Sequence, residues 1–293
     1  MGKIITRKVN NKKISSLNLI LSIKSNKQYN YFLMKYLSMT LITVLFISFS
    51  GLAQNLSAYE KHLFIQNSDT LPYRLLLPEN YDAGKKYPLI LFLHGSGERG
   101  NDNELQLVHG GNFFLKDDVR KKFPAIIVFP QCPLNSFWSN VNFKADSAGK
   151  RIFNFQSTAA PSLGMKLANE LLLQVIKKYP VNKKKVYVGG LSMGGMGTFE
   201  IAARNPKLFA AAFPICGGGD PATAKNIRKI KWWVFHGAKD DVVPPSFSAT
   251  MVNALRKAHA NVKFSLYPNA NHNSWDAAFA EPELLKWLFA QRK

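Results

Sequence analysis

From residue 63 to the C-terminus, short apolar runs alternate with longer stretches in which apolar positions recur every three to four residues. The runs at 89–93, 125–129, 186–188, 210–215, 232–235 and 262–267 are rich in Val, Ile, Leu, Phe and Trp. Their near-continuous hydrophobicity predicts strands, most of them buried on both faces. Helical periodicity covers 163–178, 197–204, 246–259 and 282–291. Ahead of these, the runs at 63–66 and 73–77, separated by 67–72, predict an antiparallel opening hairpin. Strands alternating with helices in this way predict an α/β fold, a mostly parallel central sheet with helices on both faces. No repeat, low-complexity tract or interdomain linker interrupts the pattern, so residues 54–293 are expected to form one domain.

Two connections stand out. Residues 131–161 form a long mixed segment carrying Trp138, Phe143 and Phe155, placed after a strand where substrate walls are commonly built. The connection at 216–227 is short, leaving no room for a helical lid, so the expected site is open and the fold has no large lid domain.

The first 53 residues differ in kind: eight Lys or Arg and no Asp or Glu. From Met34 the chain runs through Lys35, an apolar stretch at 41–49 and then Ser50-Gly51-Leu52-Ala53, the layout of a secretory signal peptide cleaved after Ala53. Residues 1–33, upstream of that layout, read as a spurious extension from an overlong start. The expected product is secreted or periplasmic, with no stable membrane insertion once the signal is cleaved.

Subtracting the eight leader cations from the chain's 39 leaves 31 basic against 18 acidic residues. Such a balance raises nucleic-acid binding as a possibility, but the lysines are scattered among helix ends and turns without interleaved aromatics, so no nucleic acid partner is expected. The two cysteines, Cys132 and Cys216, are expected to be buried thiols. Without a Cys/His cluster no metal is expected, and no cofactor is implied.

The chemistry-bearing residues lie where the predicted strands end. The run at 186–188 leads into Gly190-Leu191-Ser192-Met193-Gly194, followed by helical sequence. This is the strand–turn–helix setting of a Gly-x-Ser-x-Gly nucleophile elbow, in which the glycines let strand and helix pass closely and the serine stands at the apex. A serine hydroxyl needs a base, a carboxylate orienting that base, and donors for the developing oxyanion. Of the six histidines, only His272 falls between the last predicted strand and the last helix, the place of the base in the order Ser…Asp…His. The acid comes from Asp240-Asp241 after the run at 232–235. Either could cap the next helix, and Asp240, nearer the strand end, is preferred. The glycine-rich loop His94-Gly95-Ser96-Gly97-Glu98-Arg99-Gly100 offers the amide of Gly95 or Ser96, paired with that of Met193, as an oxyanion hole. Trp138 and Trp275 are candidate substrate walls.

Together Gly190–Gly194, His94-Gly95, His236-Gly237…Asp240-x-x-Val243-Pro244 and His272 resemble the α/β-hydrolase superfamily. Within it His94-Gly-Ser-Gly-Glu-Arg-Gly, Phe129-Pro-Gln-Cys-Pro133, Pro214-Ile-Cys-Gly-Gly-Gly-Asp220 and His272-Asn-Ser-Trp275 are similar to secreted esterases. Those are the feruloyl esterase, polyhydroxybutyrate depolymerase and dienelactone hydrolase-like group, many labelled only as peptidase or phospholipase/carboxylesterase. The likeness covers about residues 60–291. It implies Ser192 as nucleophile, Asp240 as acid and His272 as base, with Gly95, Ser96 and Met193 lining the oxyanion hole. Dienelactone hydrolases proper carry a cysteine nucleophile; the serine here moves the expectation to ordinary ester hydrolysis. The expected substrate is a small-molecule or polysaccharide-linked ester with an aromatic or small acyl group. The alternatives are a serine peptidase of prolyl-oligopeptidase type and a non-catalytic binding protein on the same scaffold.

Overall fold

The computed structural model describes residues 56–293, apart from 146 and 148–150. The proposed signal segment, 1–53, lies outside them. Among the described residues ten strands occur: β1 (Glu60–Gln66), β2 (Asp69–Leu76), β3 (Tyr87–Leu93), β4 (Ile126–Pro130), β5 (Val141–Ala145), β6 (Arg151–Phe155), β7 (Val181–Leu191), β8 (Ala211–Ile215), β9 (Lys231–Gly237) and β10 (Val262–Tyr267). Eight of them form one sheet in the order β1-β2-β4-β3-β7-β8-β9-β10; β5 and β6 pair separately. The β1–β2 and β2–β4 pairings are antiparallel, and every pairing from β4 through to β10 is parallel. This is the α/β-hydrolase fold.

The strands sort their side chains by the two-residue period. In β3, Leu89, Leu91 and Leu93 enter one core while Ile90 and Phe92 enter the other; in β9, Trp232 and Val234 oppose Trp233 and Phe235. The first core is covered by α3 (Leu163–Lys178), α4 (Met193–Arg204) and α5 (Ser246–Lys257). The second is covered by α1 (Gly111–Leu115), α2 (Asp117–Lys122), α6 (Trp275–Phe279) and α7 (Leu284–Ala290). Both faces of the central strands are therefore dry, which is why their sequences are apolar without interruption. Each fully buried Leu or Phe contributes about 1.5–3 kcal/mol of transfer free energy. Helix α3 buries Met165, Leu167, Ala168, Leu171, Leu172 and Val175, a single stripe, and Ser162 caps it by accepting from the Met165 amide at 3.2 Å.

The opening hairpin is tighter than its sequence suggests. The turn is Asn67-Ser68, with Asn67 at φ 55°, and β2 already begins at Asp69. Pro72 pairs with Leu63 of β1, and pairing with β4 starts only at Tyr73, so the proline sits where its missing amide leaves the second ladder intact. β10 carries partly exposed residues throughout, as a sheet-edge strand does, and is not buried on both faces.

The larger difference falls in 131–161, which holds the β5–β6 hairpin and is not a plain loop. Val141 faces Phe155 and Phe143 faces Phe153 across the pair, so one face of the hairpin is aromatic. The alternation Val-x-Phe and Phe-x-Phe is present in the sequence, but each strand is only five residues long. The hairpin is held to α4 by buried Glu200. Its Oε2 accepts from Ser139 Oγ and the Asn140 amide, both at 2.8 Å, while Oε1 accepts from Arg204 Nε at 3.0 Å and Nη2 at 2.7 Å.

Candidate active site

The C-terminal ends of the parallel strands converge on one rim. β7 ends at Leu191, and Ser192 follows with φ 54° and ψ −118°, a conformation that a serine adopts only under constraint. The constraint is visible: the Ser192 amide donates to Ile215 O of β8 at 2.9 Å, and the Ser192 carbonyl accepts from Met196 of α4 at 3.0 Å. A Cβ on Gly194 would lie 1.9 Å from the Leu93 carbonyl oxygen, and one on Gly190 2.4 Å from the Gly194 oxygen. Strand and helix can pass this closely only with glycine at both positions.

Asp240 and His272 come from the ends of β9 and β10, and His272 joins Asp240 to Ser192. His272 Nε2 lies 2.9 Å from Ser192 Oγ, and His272 Nδ1 lies 2.8 Å from Asp240 Oδ2. The β9 and β10 loops that carry them are tied together by Ala238 N donating to Tyr267 O at 2.9 Å and Lys239 N to Ala270 O at 3.0 Å. Asp240 Oδ1 accepts from the amides of Val242 at 3.0 Å and Val243 at 2.8 Å. Burial alone pushes the Asp240 carboxyl up; the bonds from His236, His272 and Val243 outweigh it and hold the group well below the usual carboxylate range. Asp241, by contrast, is exposed, and its backbone amide donates to Asn271 Oδ1.

His236, which the sequence reading passes over as a strand-end residue, is fully buried behind Asp240. Its Nε2 is 2.8 Å from the Val243 carbonyl and 3.2 Å from Asp240 Oδ2, and its Nδ1 is 2.7 Å from Ser248 Oγ. Ser248 donates to Gly217 O at 2.8 Å, so its oxygen is left to accept from the ring. The ring thus bridges Ser248 on one side and Val243 and the Asp240 carboxylate on the other, backing the carboxylate from the core.

The glycine-rich loop is set by His94. The Cys132 amide donates to His94 Nε2 at 2.9 Å, which leaves the proton on Nδ1 to go to Gly95 O at 2.6 Å. Burial, working against that backbone bond, brings the ring down to about 4, so it stays neutral. Across a trans peptide the carbonyl and the following amide point in opposite directions, so turning Gly95 O toward His94 turns the Ser96 amide away from it. Ser96 and Met193 each begin a helical turn, and their amides have no intrahelical acceptor. Both residues line a cavity of about 640 Å³ together with Ser192 and His272. Gly95 does not line it; a Cβ at that position would lie 2.9 Å from Glu98 Oε2 and 3.0 Å from Leu191 Cδ1.

The cavity walls come from Phe137, Phe143, Phe153, Met196, Val242 and Val243, with Arg99 and Lys144 at its polar side. Arg99 braces the loop by donating to the carbonyls of Ser96, Leu134 and Ser136 and lies 5.3 Å above the Phe137 ring. A second cavity, also about 640 Å³, shares Arg99, Phe137 and Phe143 with the first and is lined by Asn135, Asn140, Asn142 and Gln156.

Of the two tryptophans expected to be walls, Trp138 is not one. It is fully buried, donates through Nε1 to His94 O at 3.1 Å, and packs against Gly197 beneath the site. Its indole had a better use as a core brace than as a surface. Trp275 stands edge-on to His272 at 5.5 Å and against His109 at 4.8 Å, flanking the imidazole outside the main cavity. The aromatic walls that sequence reasoning did not assign, Phe137 and Phe153, are carried in by the hairpin segment.

Cys132 and Cys216 are both free and buried. Burial pushes the Cys132 thiol up to about 12 and, with the Asp240 charge, lifts Cys216 well above the ordinary range. The group of described residues whose ligand atoms could meet at a metal is Cys216, Asp240 and His272, within 4.8 Å of one another. Two of these are already hydrogen-bonded to each other, and the third is a protonated thiol.

Residues 68–279 match the family described as "Putative esterase". The chain belongs to that family. It is 25% identical over 181 residues to the protein named "Probable feruloyl esterase C" of Aspergillus oryzae, covering 62% of this chain and 59% of that one. Acetylxylan esterase A of Aspergillus awamori is 25% identical over 162 residues, covering 51% of this chain and 50% of the relative. The crystal structure of a thermostable esterase superposes with a TM-score of 0.72 at 32% identity, over 81% of this chain and 64% of that one. The chain thus spans about six-tenths of the length of the feruloyl esterase relative.

Proposed function

We propose that this esterase-family protein is a serine carboxylic-ester hydrolase acting through an acyl-enzyme, with Ser192 as nucleophile, His272 as base and Asp240 as the acid that orients it. The observation carrying this reading is the unbroken run Ser192 Oγ–His272–Asp240, at 2.9 and 2.8 Å, opening into an aromatic cavity. His272 Nε2 takes the Ser192 proton as Oγ attacks the ester carbonyl. The amides of Ser96 and Met193 receive the oxyanion, and the imidazolium, held by the Asp240 carboxylate, then gives its proton to the leaving alcohol. A water activated by the same imidazole releases the acid.

The walls Phe137, Phe143 and Phe153 suit an aromatic or small acyl group. The neighbouring cavity, lined by asparagine and glutamine amides, suits the hydroxyls of a sugar. The names of the feruloyl and acetylxylan esterase relatives agree with this division, so the substrate is a polysaccharide-linked ester. Export follows from the leader, with residues 54–293 as the mature single domain; no helix among the described residues is long and apolar enough to cross a membrane.

The direct test is labelling with a fluorophosphonate probe alongside turnover of p-nitrophenyl acetate, methyl ferulate and peptide amides. Labelling and ester turnover are expected, and Ser192→Ala should abolish labelling and lower kcat about 10⁴-fold or more without unfolding the protein. Faster amide than ester cleavage would favour the peptidase alternative, and absence of labelling the non-catalytic one.

A further inference from the structure

The opposite rim of the sheet carries a second feature that ester chemistry does not use. Strands β8 and β9 run parallel, with Ala211 beside Lys231 at their starts and Ile215 beside Phe235 towards their ends. Ser192 bonds to Ile215, so the catalytic rim lies at the far end. Five residues at ~3.3 Å each place the starts of these strands roughly 15 Å away, across the core. There a cavity of about 700 Å³ is lined by Lys207, Arg228, Lys229, Lys231, Arg292 and Lys293. Pro206, Phe209, Ala258 and His259 complete the wall, and no Asp or Glu side chain contributes to it.

This is a built concavity and not a frayed end. The C-terminal tail is fastened by Tyr187 Oη donating to Gln291 O at 2.9 Å, Lys293 N to Lys184 O at 3.1 Å, and Lys293 Nζ to Lys207 O at 3.0 Å. Among the described residues, none of the six cations is paired with a carboxylate side chain, and all six contribute to the lining of one cavity. A shallower cavity alongside adds Lys225 and Lys257 and shares Arg228 and His259. Like charges crowded in this way raise the free energy of the unliganded surface, and a ligand bearing several negative charges relieves it.

We propose that this face is a binding site for an acidic polysaccharide, whose regularly spaced carboxylates neutralise the basic cavity while the catalytic rim stays free on the other side. Three observations favour this occupant. Among the described residues, none of the large exposed hydrophobic side chains lies on the patch, which gives it no apolar anchor of the kind that favours a bilayer over a polyanion. Phe209, the phenyl ring in its wall, is buried and cannot stack on a base, which leaves the His259 imidazole as the exposed ring among the lining residues. A concavity of this size accepts sugar units, and the substrate proposed above is itself polysaccharide-linked, a reading on which the choice of polymer rests.

The test measures retention of the full-length protein by polygalacturonate, with dextran as the uncharged control and anionic phosphatidylserine vesicles and duplex DNA as further arms. The triple variant Arg228→Glu/Lys229→Glu/Lys231→Glu is compared with wild type, and turnover of p-nitrophenyl acetate is followed in parallel. The expected result is selective binding to polygalacturonate that weakens about tenfold or more between 50 and 200 mM salt. The variant should lose at least tenfold in that affinity with ester turnover unchanged. Equal binding by the variant, equal binding to dextran, or stronger binding to vesicles or DNA would overturn the proposal. Ester turnover is read independently, so its absence would count against the proposed hydrolase and leave the polymer measurement standing.

Discussion

Two carboxyls near the site are driven in opposite directions by their surroundings. Asp240 has more hydrogen-bond donors than burial can offset, so its folded-state pKa falls below the ordinary 3.8. A depressed acid contributes stability that is fully present above the unfolded value and is lost as pH falls through the folded one. Asp240→Asn should therefore lower the melting temperature at pH 6, with the gap to wild type narrowing below about pH 4. The same substitution should reduce kcat by about 10⁴-fold, since it disturbs the tautomer of His272, whereas Asp241→Asn should leave kcat nearly unchanged. Comparable losses in the two variants would sink the assignment. Glu98 is the reverse case. Burial raises its pKa above 4.5, its Oε2 has no hydrogen-bond partner, and His94 and His109 stay 3.9 and 3.8 Å away. Ionisation is disfavoured in the folded protein, so the stability associated with this carboxyl is present below pH 4.5 and lost as pH rises through the raised value. Glu98→Gln should accordingly raise Tm at pH 7, with little gain at pH 4.

At the scale of elements, catalysis as proposed depends on how α4 is held. One end of this helix begins at Met193, directly after the constrained Ser192; further along, Glu200 ties it to the β5–β6 segment through Ser139 and Asn140. The aromatic walls therefore hang from the same helix that orients the nucleophile. Glu200→Ala removes one partner of a buried charged cluster that includes Arg204, and is expected to cost about 3–5 kcal/mol of unfolding free energy. With the segment loosened, KM for methyl ferulate should rise more than kcat falls, measured under conditions where the variant is folded. An unchanged KM would show that the hairpin does not need this tie. The hairpin was hard to read because five-residue strands lack the length that distinguishes a strand from a loop, and its partner surface is distant in sequence.

At the scale of the whole molecule, the proposed export predicts that protein recovered from the periplasm or medium begins at Gln54; an intact mass including the leader would refute cleavage after Ala53. The alternation of apolar runs and helical stripes was enough to establish an α/β architecture, because double burial leaves its mark on every central strand. The chain order of Ser192, Asp240 and His272 was legible for a similar reason: each follows a strand whose direction the parallel sheet dictates. Tertiary structure alone decided the rest. Whether an indole at position 138 meets substrate or core, which residue beside His94 lines the cavity with Ser192, what stands behind Asp240, and that cations from three separate segments line one cavity all depend on contacts between distant residues. A one-dimensional pattern reports how often a side chain is buried along its own element, while these features arise from which elements meet.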